Sequence, residues 1–476
     1  MDKLSIVKRY FSFSLGIWIN ALISFFTTPI VTWLINPTEF GKATMFSTAY
    51  SVIILLVLSG TPSAFMRFFH QVSDKERATF LWSSLLFPML FSVLSFVIIL
   101  IFRKDINVFL VDDSNSVAAF LLILTMATGI FQTFNQTIIR MNGRAFTYSF
   151  IQIFSSATNA AFIILYALFV KRNFYAILYA QLFSNIATLL LGLSLEHSYW
   201  FPIKFEWKKA IDALKFGYPL AFASIFWWLL HWTDRFVLRM FTNFTEIGLY
   251  SAAFKIISIM NVFTSGFSTL WYPFAYEQYE KNPHNDEIFS KSFNYVSLIS
   301  FSLGLLVLSF KDVIFLLFAK SYRSAASMSP FLLLSPVLTT AGIISARGID
   351  FSKKTYWFII SNASAAIFNL IGNFVLVPLL GARGAALSTG LSFIILVVIE
   401  TVASSKLYPV TYNLKSFCIS TIVFCIAAFI HSFSGNVVFS VISSLLGLLL
   451  VFVIYRSQFV ELMKGSFTLL AKLVKN

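Results

Sequence analysis

Residues 214–241 read LKFGYPLAFASIFWWLLHWTDRFVLRMF, and residues 242–274 continue as TNFTEIGLYSAAFKIISIMNVFTSGFSTLWYPF. These are two long apolar runs joined by a short polar turn, which is the pattern of a helical hairpin. Each run carries charge inside it, Asp234 and Arg235 in the first and Lys255 in the second. A charge at bilayer depth costs about 2.5–3.5 kcal/mol on insertion scales, so such residues usually face a cavity or each other. The stretch therefore predicts a membrane hairpin with a polar lining near one surface.

The whole chain has this membrane character. Of its 476 residues, 58% are hydrophobic and 12% are charged. Apolar runs of about 20 residues, each long enough to cross about 30 Å of hydrocarbon, recur along its length. The pattern predicts an all-α polytopic membrane protein with about 14 transmembrane helices and no soluble catalytic domain. The predicted spans are 10–35, 43–66, 79–102, 115–138, 147–169, 174–195, 214–240, 248–274, 292–310, 328–346, 356–379, 382–404, 415–432 and 436–455.

The net charge of +15 does not indicate a nucleic-acid partner, because the basic residues lie at helix ends rather than in one basic domain. An anionic leaflet or an anionic substrate explains the charge better. If the N-terminus is cytoplasmic, the loops and span ends on that side hold 23 of the 35 Lys and Arg residues, and the opposite side holds ten. This bias predicts both termini in the cytoplasm. Lys311, Lys320 and Arg323 depart from it, since they fall on the outer side.

An internal repeat divides the chain. Residues 36–41, NPTEFG, match residues 243–248, NFTEIG, at an offset of 207, and Arg140 matches Arg347 at the same offset. Six predicted spans separate the copies, so both copies have the same orientation, as in parallel-repeat transporters. The predicted domains are an N-terminal six-helix lobe (1–195), a cytoplasmic interfacial linker (196–213), a C-terminal six-helix lobe (214–404), and helices 13 and 14 with a basic amphipathic tail (405–476).

Six charged residues form the candidate site: Arg67, Arg140 and Arg347 at the cytoplasmic ends of spans, and Asp234, Arg235 and Lys255 within spans. The first three either extend to the interface or line a path for a phosphate-bearing substrate, which a guanidinium group binds through paired hydrogen bonds. The other three either form a structural salt bridge or bind substrate phosphate or a coupling ion. If Asp234 neutralises one cation, a positive charge remains, so an anion is the expected guest.

Enzyme signatures are missing from the sequence. It has no phosphate-binding glycine loop, no HExxH motif and no Cys/His cluster with metal-ligand spacing. We therefore predict no catalytic residue, no metal ligand and no cofactor. Among the scattered histidines, His231 is the one near other charges, and we interpret it as a packing residue.

The order of motifs resembles a known family. Residues 216–219 (FGYP), 233–236 (TDRF) and 246–250 (EIGLY) follow one another as in bacterial O-antigen-type polysaccharide flippases of the multidrug/oligosaccharidyl-lipid/polysaccharide exporter superfamily. Residues 37–41 (PTEFG) and 67–69 (RFF) support the resemblance in the first half, and it covers most of the chain.

The resemblance implies a flippase for surface polysaccharide biosynthesis. Its substrate would be an undecaprenyl-pyrophosphate-linked oligosaccharide repeat unit, which moves from the cytoplasmic to the outer leaflet of the bacterial cell membrane by alternating access. We expect as partners this lipid-linked oligosaccharide, membrane lipids, a coupling proton or sodium ion, and a polysaccharide polymerase complex. The alternatives are a cation-coupled multidrug exporter of the same superfamily and a non-transporting membrane protein of polysaccharide assembly.

Overall fold

A computed structural model describes residues 3–282 and 286–464, and within the first helix it describes side chains from Ile19 onward. Every regular element in these residues is a helix, because a chain in lipid must satisfy its backbone hydrogen bonds within itself. Twelve of these helices are long and apolar enough to span a membrane, and a bent pair brings the number to thirteen. The predicted all-α polytopic membrane fold is confirmed.

The elements follow the predicted spans in order. The first predicted span is the helix Lys3–Leu34, and its described apolar part, Ile19–Leu34, is shorter than the twelve. The tenth predicted span is the bent pair, Lys320–Ser327 with Ser329–Ser345, and its two parts meet at 58°. Pro330 and Pro336 have no backbone N–H, and each lies in the first turn of a new helical segment after the bend. The apolar pattern therefore predicted this span but not its bend.

The chain divides into two compact units, Met1–Ser251 and Ala252–Asn476. The helices of the first unit are α1 (Lys3–Leu34), α2 (Pro37–Leu58), α3 (Thr61–Phe68), α4 (Arg77–Ile101), α5 (Arg103–Val111), α6 (Val117–Met141), α7 (Ala145–Phe169), α8 (Tyr175–Leu195), α9 (His197–Trp200), α10 (Trp207–Phe241) and α11, which begins at Phe244. The predicted linker, 196–213, thus includes α9 and the first turns of α10. The lobe boundary predicted from the repeat, between residues 213 and 214, stays a prediction.

The two copies of the repeat motif begin their helices in the same way. Asn36 precedes α2 and Asn243 precedes α11, and each side-chain oxygen accepts a hydrogen bond at 3.0 Å from a backbone N–H three residues later. Such caps satisfy one of the backbone donors that a helix leaves unpaired at its start. The side-chain oxygens of Thr38 and Thr245, which are equivalent in the repeat, lie 2.8 Å apart. The copies therefore contact each other inside the first unit.

Glycine makes this contact possible. A Cβ atom on Gly41 would lie 1.9 Å from the carbonyl oxygen of Phe244, and a Cβ atom on Gly248 would lie 1.9 Å from the carbonyl oxygen of Pro37. Gly41 and Gly248 are themselves equivalent at the repeat offset of 207. Each copy thus supplies the glycine that lets the backbone of the other copy approach.

The second predicted span, 43–66, is broken in the structure. Ser59 and Gly60 have φ angles of 47° and 72°, in the left-handed region, and they separate α2 from α3. Gly60 packs against Gly217 of α10, where a Cβ atom on Gly60 would lie 2.1 Å from the Gly217 carbonyl oxygen. The apolar composition predicted one continuous helix. It gave no sign of the break, because the close backbone contact there involves a residue far away in the sequence.

The second unit continues the helical architecture after a one-turn 3-10 helix, Phe254–Ile256. Its helices are α12 (Ile257–Lys281), α13 (Asp286–Leu316), α14 (Ser329–Leu332), α15 (Leu334–Ser345), α16 (Arg347–Phe351), α17 (Tyr356–Leu380), α18 (Ala382–Leu407), α19 (Leu414–Phe433) and α20 (Val437–Ile454). The last part of the predicted amphipathic tail, residues 465–476, lies outside the described residues.

Candidate functional site

The structure places the six predicted residues in two different settings. Three are buried: Asp234 with 0%, Arg235 with 4% and Arg347 with 8% of its surface exposed. Three are exposed: Arg67 at the end of α3, Arg140 at the end of α6, and Lys255 in the 3-10 helix before α12. Burial therefore does not follow the division made from the sequence, since Arg347 at a span end is buried and Lys255 within a span is exposed.

Arg67 and Arg235 lie near opposite ends of α10. The ring of Phe68, next to Arg67, contacts the ring of Phe216 with 5.3 Å between centroids. At about 1.5 Å rise per residue, Arg235 lies about 28 Å further along α10 from Phe216. Arg140 belongs to the Arg67 end, because Ile138 packs into the aromatic core that lies beside α3. The first unit thus does not bring these three arginines together.

Asp234 and Arg235 meet a common partner, Tyr250 of α11. The Tyr250 hydroxyl donates a hydrogen bond to Oδ2 of Asp234, and the Arg235 guanidinium lies 5.3 Å from the centre of the Tyr250 ring. Arg235 also donates to the backbone carbonyl of His231 at 2.6 Å and lies 4.9 Å from the Trp232 ring. Aromatic faces and a carbonyl oxygen stabilise a guanidinium away from water. We call Asp234, Arg235 and Tyr250 the buried triad.

Sequence analysis missed Tyr250, although the residue lies in the motif EIGLY. The repeat offers the signal that could have identified it. At the offset of 207, the buried triad corresponds to Thr27, Thr28 and Ala43 in the first copy. The aromatic and the two charges therefore occur together in one copy and are absent together from the other, which is the pattern expected of a site added to a symmetric scaffold.

Arg347 lies in a second charged cluster, within the second unit. Its Nε donates to the carbonyl oxygen of Ile343 at 2.8 Å, its Nη1 pairs with the Asp350 carboxylate, and its guanidinium lies 4.7 Å from the Tyr272 ring. Burial raises the pKa of Asp350 above its usual value, and the charge of Arg347 opposes this shift. Arg347 thus has a local anionic partner that the sequence analysis had not assigned to it.

Glu400 of α18 belongs to the same cluster and was also missed. Its carboxylate accepts a hydrogen bond from the Ser361 hydroxyl at 3.0 Å and interacts electrostatically with Arg347. With Asp350, the cluster contains two carboxylates for one guanidinium. The sequence did offer a signal for Glu400, because an acidic residue inside a predicted apolar span is unusual. This charge balance favours the structural interpretation of Arg347 over that of a cation held free for a phosphate.

At the Arg140 end of the first unit, the buried charge is Glu196 rather than an arginine. Nη1 of Arg144 lies 2.9 Å from Oε1 of Glu196, whose side chain is 3% exposed. The Asn142 side-chain amide donates to Oε2 of Glu196 at 3.0 Å and accepts from the Tyr199 hydroxyl at 2.8 Å. Burial raises the pKa of Glu196, and Arg144 and Asn142 partly offset the shift. This network fixes the connection after α8.

Replacing Arg144 by methionine is expected to destabilise the protein by about 1–3 kcal/mol at neutral pH, because the buried Glu196 carboxylate loses its charged partner. The pKa of Glu196 then rises further above its usual 4.5. A raised carboxyl pKa gives stability that is present at low pH and lost as the pH rises through it. Melting temperatures at pH 5 and pH 8 should therefore show a larger deficit at pH 8. Arg140→Met, at an exposed arginine nearby, is the control, and an equal deficit in both variants would contradict the assignment.

Comparison with known proteins was made at the levels of family, sequence and structure. A family model described as polysaccharide biosynthesis protein matches residues 6–277. A probable low-salt glycan biosynthesis flippase, Agl15 of Haloferax volcanii, is 23% identical over 230 residues, which are 47% of this chain and 48% of that protein. The match thus spans about half of that relative. An uncharacterized membrane protein of Methanocaldococcus jannaschii, MJ1068, is 24% identical over 75% of this chain and 76% of its own length.

Solved structures share the fold at low sequence identity. The lipid II flippase MurJ in an inward closed conformation matches with a TM-score of 0.69 and 18% identity, over 95% of this chain and 99% of that chain. A multidrug resistance MATE family transporter of the MOP superfamily, in an inward-facing conformation, matches with a TM-score of 0.58 and 17% identity, over 83% and 93%. At these identities the likeness establishes a common fold. Among the described residues, no group of three His, Cys, Asp or Glu side chains could hold a metal ion.

Proposed function

The chain belongs to the polysaccharide biosynthesis protein family, and from this premise we propose that it is a flippase for a lipid-linked glycan. The proposed substrate is an undecaprenyl-pyrophosphate-linked oligosaccharide repeat unit, which moves from the cytoplasmic to the outer leaflet of the cell membrane. The motif order that resembles bacterial polysaccharide flippases supports this substrate. The name of the haloarchaeal relative, a probable flippase in glycan biosynthesis, supports the activity.

The observation that carries the proposal is the burial of Arg235 within a membrane-spanning helix. Its guanidinium is 4% exposed and is held by the Tyr250 and Trp232 rings and a backbone carbonyl. Keeping a cation at this depth is costly, and intramembrane charges commonly mark substrate or ion pathways. A pyrophosphate group is the part of a lipid-linked sugar that a guanidinium binds best, because its oxygens accept paired hydrogen bonds.

The proposal includes a transport cycle and a topology. Two parallel six-helix lobes alternate access to the substrate, with both termini in the cytoplasm as the Lys and Arg bias predicts. Arg235 and Lys255 contact the phosphates, Arg67 and Arg140 act at the cytoplasmic entrance, and Asp234 sets the local charge balance or binds a coupling proton or sodium ion. Arg347, which the sequence placed with the entrance arginines, is assigned instead to its ion pair with Asp350. One charge that moves across 100 mV supplies about 2.3 kcal/mol, so ion coupling can drive the cycle. A polysaccharide polymerase would take the product.

Reconstitution tests the activity directly. In liposomes that contain the purified full chain and a fluorescent undecaprenyl-pyrophosphate oligosaccharide, the labelled sugar should cross between leaflets and become accessible to a membrane-impermeant quencher. Protein-free liposomes provide the background rate. A rate equal to that background in the presence of correctly folded protein would contradict the flippase function and leave a non-transporting role in polysaccharide assembly.

A cation-coupled multidrug exporter is the second candidate, and Asp234 is the observation that favours it. A fully buried carboxylate is a feature by which an exporter can hold a lipophilic cation or a coupling ion. The same liposomes decide between the two candidates. Efflux of a fluorescent lipophilic cation down an imposed proton or sodium gradient, without movement of the labelled sugar, would identify the exporter.

A further inference from the structure

A small polar cavity lies in the second unit, at the other end of α18 from the Arg347 cluster. At the Arg347 end, the Ser404 hydroxyl accepts a hydrogen bond from the Gly348 backbone N–H at 2.8 Å. Arg383 lies in the first turn of α18 and lines the cavity. Arg383 and Ser404 are 21 positions apart, which corresponds to about 32 Å of helix. The cavity is therefore separate from the charged cluster described above.

The cavity has a volume of about 250 Å³, several times the roughly 30 Å³ that one water molecule occupies in the liquid. Its polar lining comes from α13, the bent pair, α18, α19 and the start of α20. The side chains that give it its chemistry are Lys311, Asp312, Arg323, Ser327, Arg383 and His431. Three of these are permanent cations and one is an anion, so the lining has a formal charge of +2 before His431 is counted.

Lys311, which is buried, and Asp312, which is partly exposed, form one wall of the cavity. Lys311 is 4% exposed, and its Nζ lies 2.8 Å from Oδ1 of Asp312. A buried lysine is tolerated only where it is paired, and Asp312 provides that partner. The pair is neutral in formal charge, although Oδ2 of Asp312 makes no hydrogen bond within the described residues, so Arg323 and Arg383 supply the net charge that acts on a bound ion.

The two arginines are at the open side. Both are exposed, and Arg383 is held in place because its Nε donates to the Ser327 hydroxyl at 3.2 Å and its guanidinium lies 5.8 Å from the Phe433 ring. A guanidinium group has five N–H donors in a planar fork. Two such groups over one cavity suit an oxyanion with several acceptor oxygens.

His431 points to a ligand independently of the arginines. Its imidazole is 4% exposed and lines the cavity. Although the backbone of Ser440 lies near the ring, neither ring nitrogen makes a hydrogen bond of standard geometry within residues 3–282 and 286–464. A buried polar group without a partner is costly. A bound oxyanion would remove this cost by accepting a hydrogen bond from the ring.

The geometry points to a binding site for a phosphate-bearing anion, held by Arg323, Arg383 and His431 above the Lys311–Asp312 pair. The anion is either a free phosphate or pyrophosphate ion or the phosphate of a lipid headgroup, since both present the same oxygens. In the proposed topology these residues face the outer side, where Lys311 and Arg323 had departed from the positive-inside bias. The site does not depend on the flippase proposal, because its evidence lies in the second unit alone.

Binding of inorganic pyrophosphate tests the free-ion form. The full chain carrying Arg235→Gln, which removes the pyrophosphate contact of the proposed transport site, is titrated by calorimetry in nanodiscs of neutral phosphatidylcholine, and we expect one saturable site. The double variant R323Q/R383Q should bind about tenfold or more weakly, because it removes the two guanidinium groups whose charge-assisted hydrogen bonds hold the anion. Each single variant should show part of the loss, which keeps the test informative if the double variant misfolds. In the Arg235→Gln chain, Lys320→Gln removes an exposed cation from the same segment outside the lining, and the affinity should stay unchanged.

Lipid association tests the headgroup form. Native mass spectrometry of the protein from nanodiscs containing phosphatidylglycerol should show retained lipid in the wild type and in Lys320→Gln, and less in R323Q/R383Q. Retention without pyrophosphate binding would identify the lipid as the source of the phosphate, and the reverse result would identify the free ion. If R323Q/R383Q equals the chain without these two substitutions in both measurements, or if that chain binds neither, the site is refuted. Neither result depends on sugar transport, so the flippase proposal stands or falls separately.

Discussion

Arg235→Gln is expected to abolish surface polysaccharide while the protein still inserts into the membrane at its normal level. Glutamine retains a hydrogen-bonding group on a shorter side chain but removes the charge that the phosphates need. Loss of one partner of a buried charged pair costs about 2–5 kcal/mol, which corresponds to a fall of roughly 30-fold or more in substrate affinity. The measurement is the amount of surface polysaccharide in cells whose chromosomal copy carries the variant, with the membrane level of the protein determined in parallel.

Arg239→Gln provides a matched control on the same helix. Arg239 is one turn further along α10, and its Nε donates to the backbone carbonyl of Phe109 at 2.8 Å. The same substitution there changes the total charge equally but leaves the buried triad intact, so polysaccharide should persist. Lys255→Gln should resemble Arg235→Gln if both cations contact phosphate. Normal polysaccharide from both Arg235→Gln and Lys255→Gln would refute the assignment of these cations to the substrate.

The amount of protein in the membrane distinguishes a functional role of the buried triad from a purely structural one. If Asp234, Arg235 and Tyr250 form only a structural unit, Arg235→Gln removes the guanidinium contacts to the Trp232 and Tyr250 rings and the His231 carbonyl, and the protein should be degraded. Tyr250→Phe keeps the ring beside Arg235 and removes the hydroxyl that donates to Asp234. Stable protein without transport in both variants would assign the triad to function, whereas parallel loss of protein and transport would assign it to the fold.

A large loss of folded protein is expected from Gly41→Ala and from Gly248→Ala. Each new Cβ atom would lie 1.9 Å from a backbone carbonyl oxygen of the other repeat copy. Backbone atoms cannot move aside as a side-chain end can, so α2 and α11 must separate and the Thr38–Thr245 contact must open. Overpacking of this kind costs about 1–3 kcal/mol or more. Fluorescence-detected gel filtration after heating measures the fraction of protein that remains monodisperse.

The same substitution elsewhere in the chain is the control. Gly342 lies inside α15, and a Cβ atom there would meet Val397 at 3.4 Å, which is ordinary contact. Alanine has a higher helix propensity than glycine by about 1 kcal/mol, so Gly342→Ala should be neutral or stabilising. If Gly248→Ala withstands heating as well as Gly342→Ala does, the proposed role of the repeat glycines is wrong.

The predictions from sequence that the structure and the comparisons confirm rest on local information. Membrane insertion depends on the composition of about 20 consecutive residues, so apolar runs were enough to predict an all-α polytopic fold. The order of short motifs predicted the family, which the match over residues 6–277 confirms. The repeat was also visible in the sequence. Asn36 and Asn243, which are equivalent in its two copies, cap their helices with the same hydrogen bond.

The tertiary structure decided which charges are buried and what they contact. Arg67 and Arg347 were both predicted at cytoplasmic span ends, yet Arg67 is exposed and Arg347 is buried, because burial depends on helices that come from distant parts of the chain. Tyr250 reaches Asp234 across the hairpin, and Glu400 joins Arg347 from another helix. His431 and Lys311 meet at one cavity although 120 residues separate them. The sequence by itself determined a membrane protein of the polysaccharide biosynthesis family, since hydropathy and motifs act over short stretches. Only the tertiary structure decided the partners of each charge, because electrostatic contacts act across space and not along the chain.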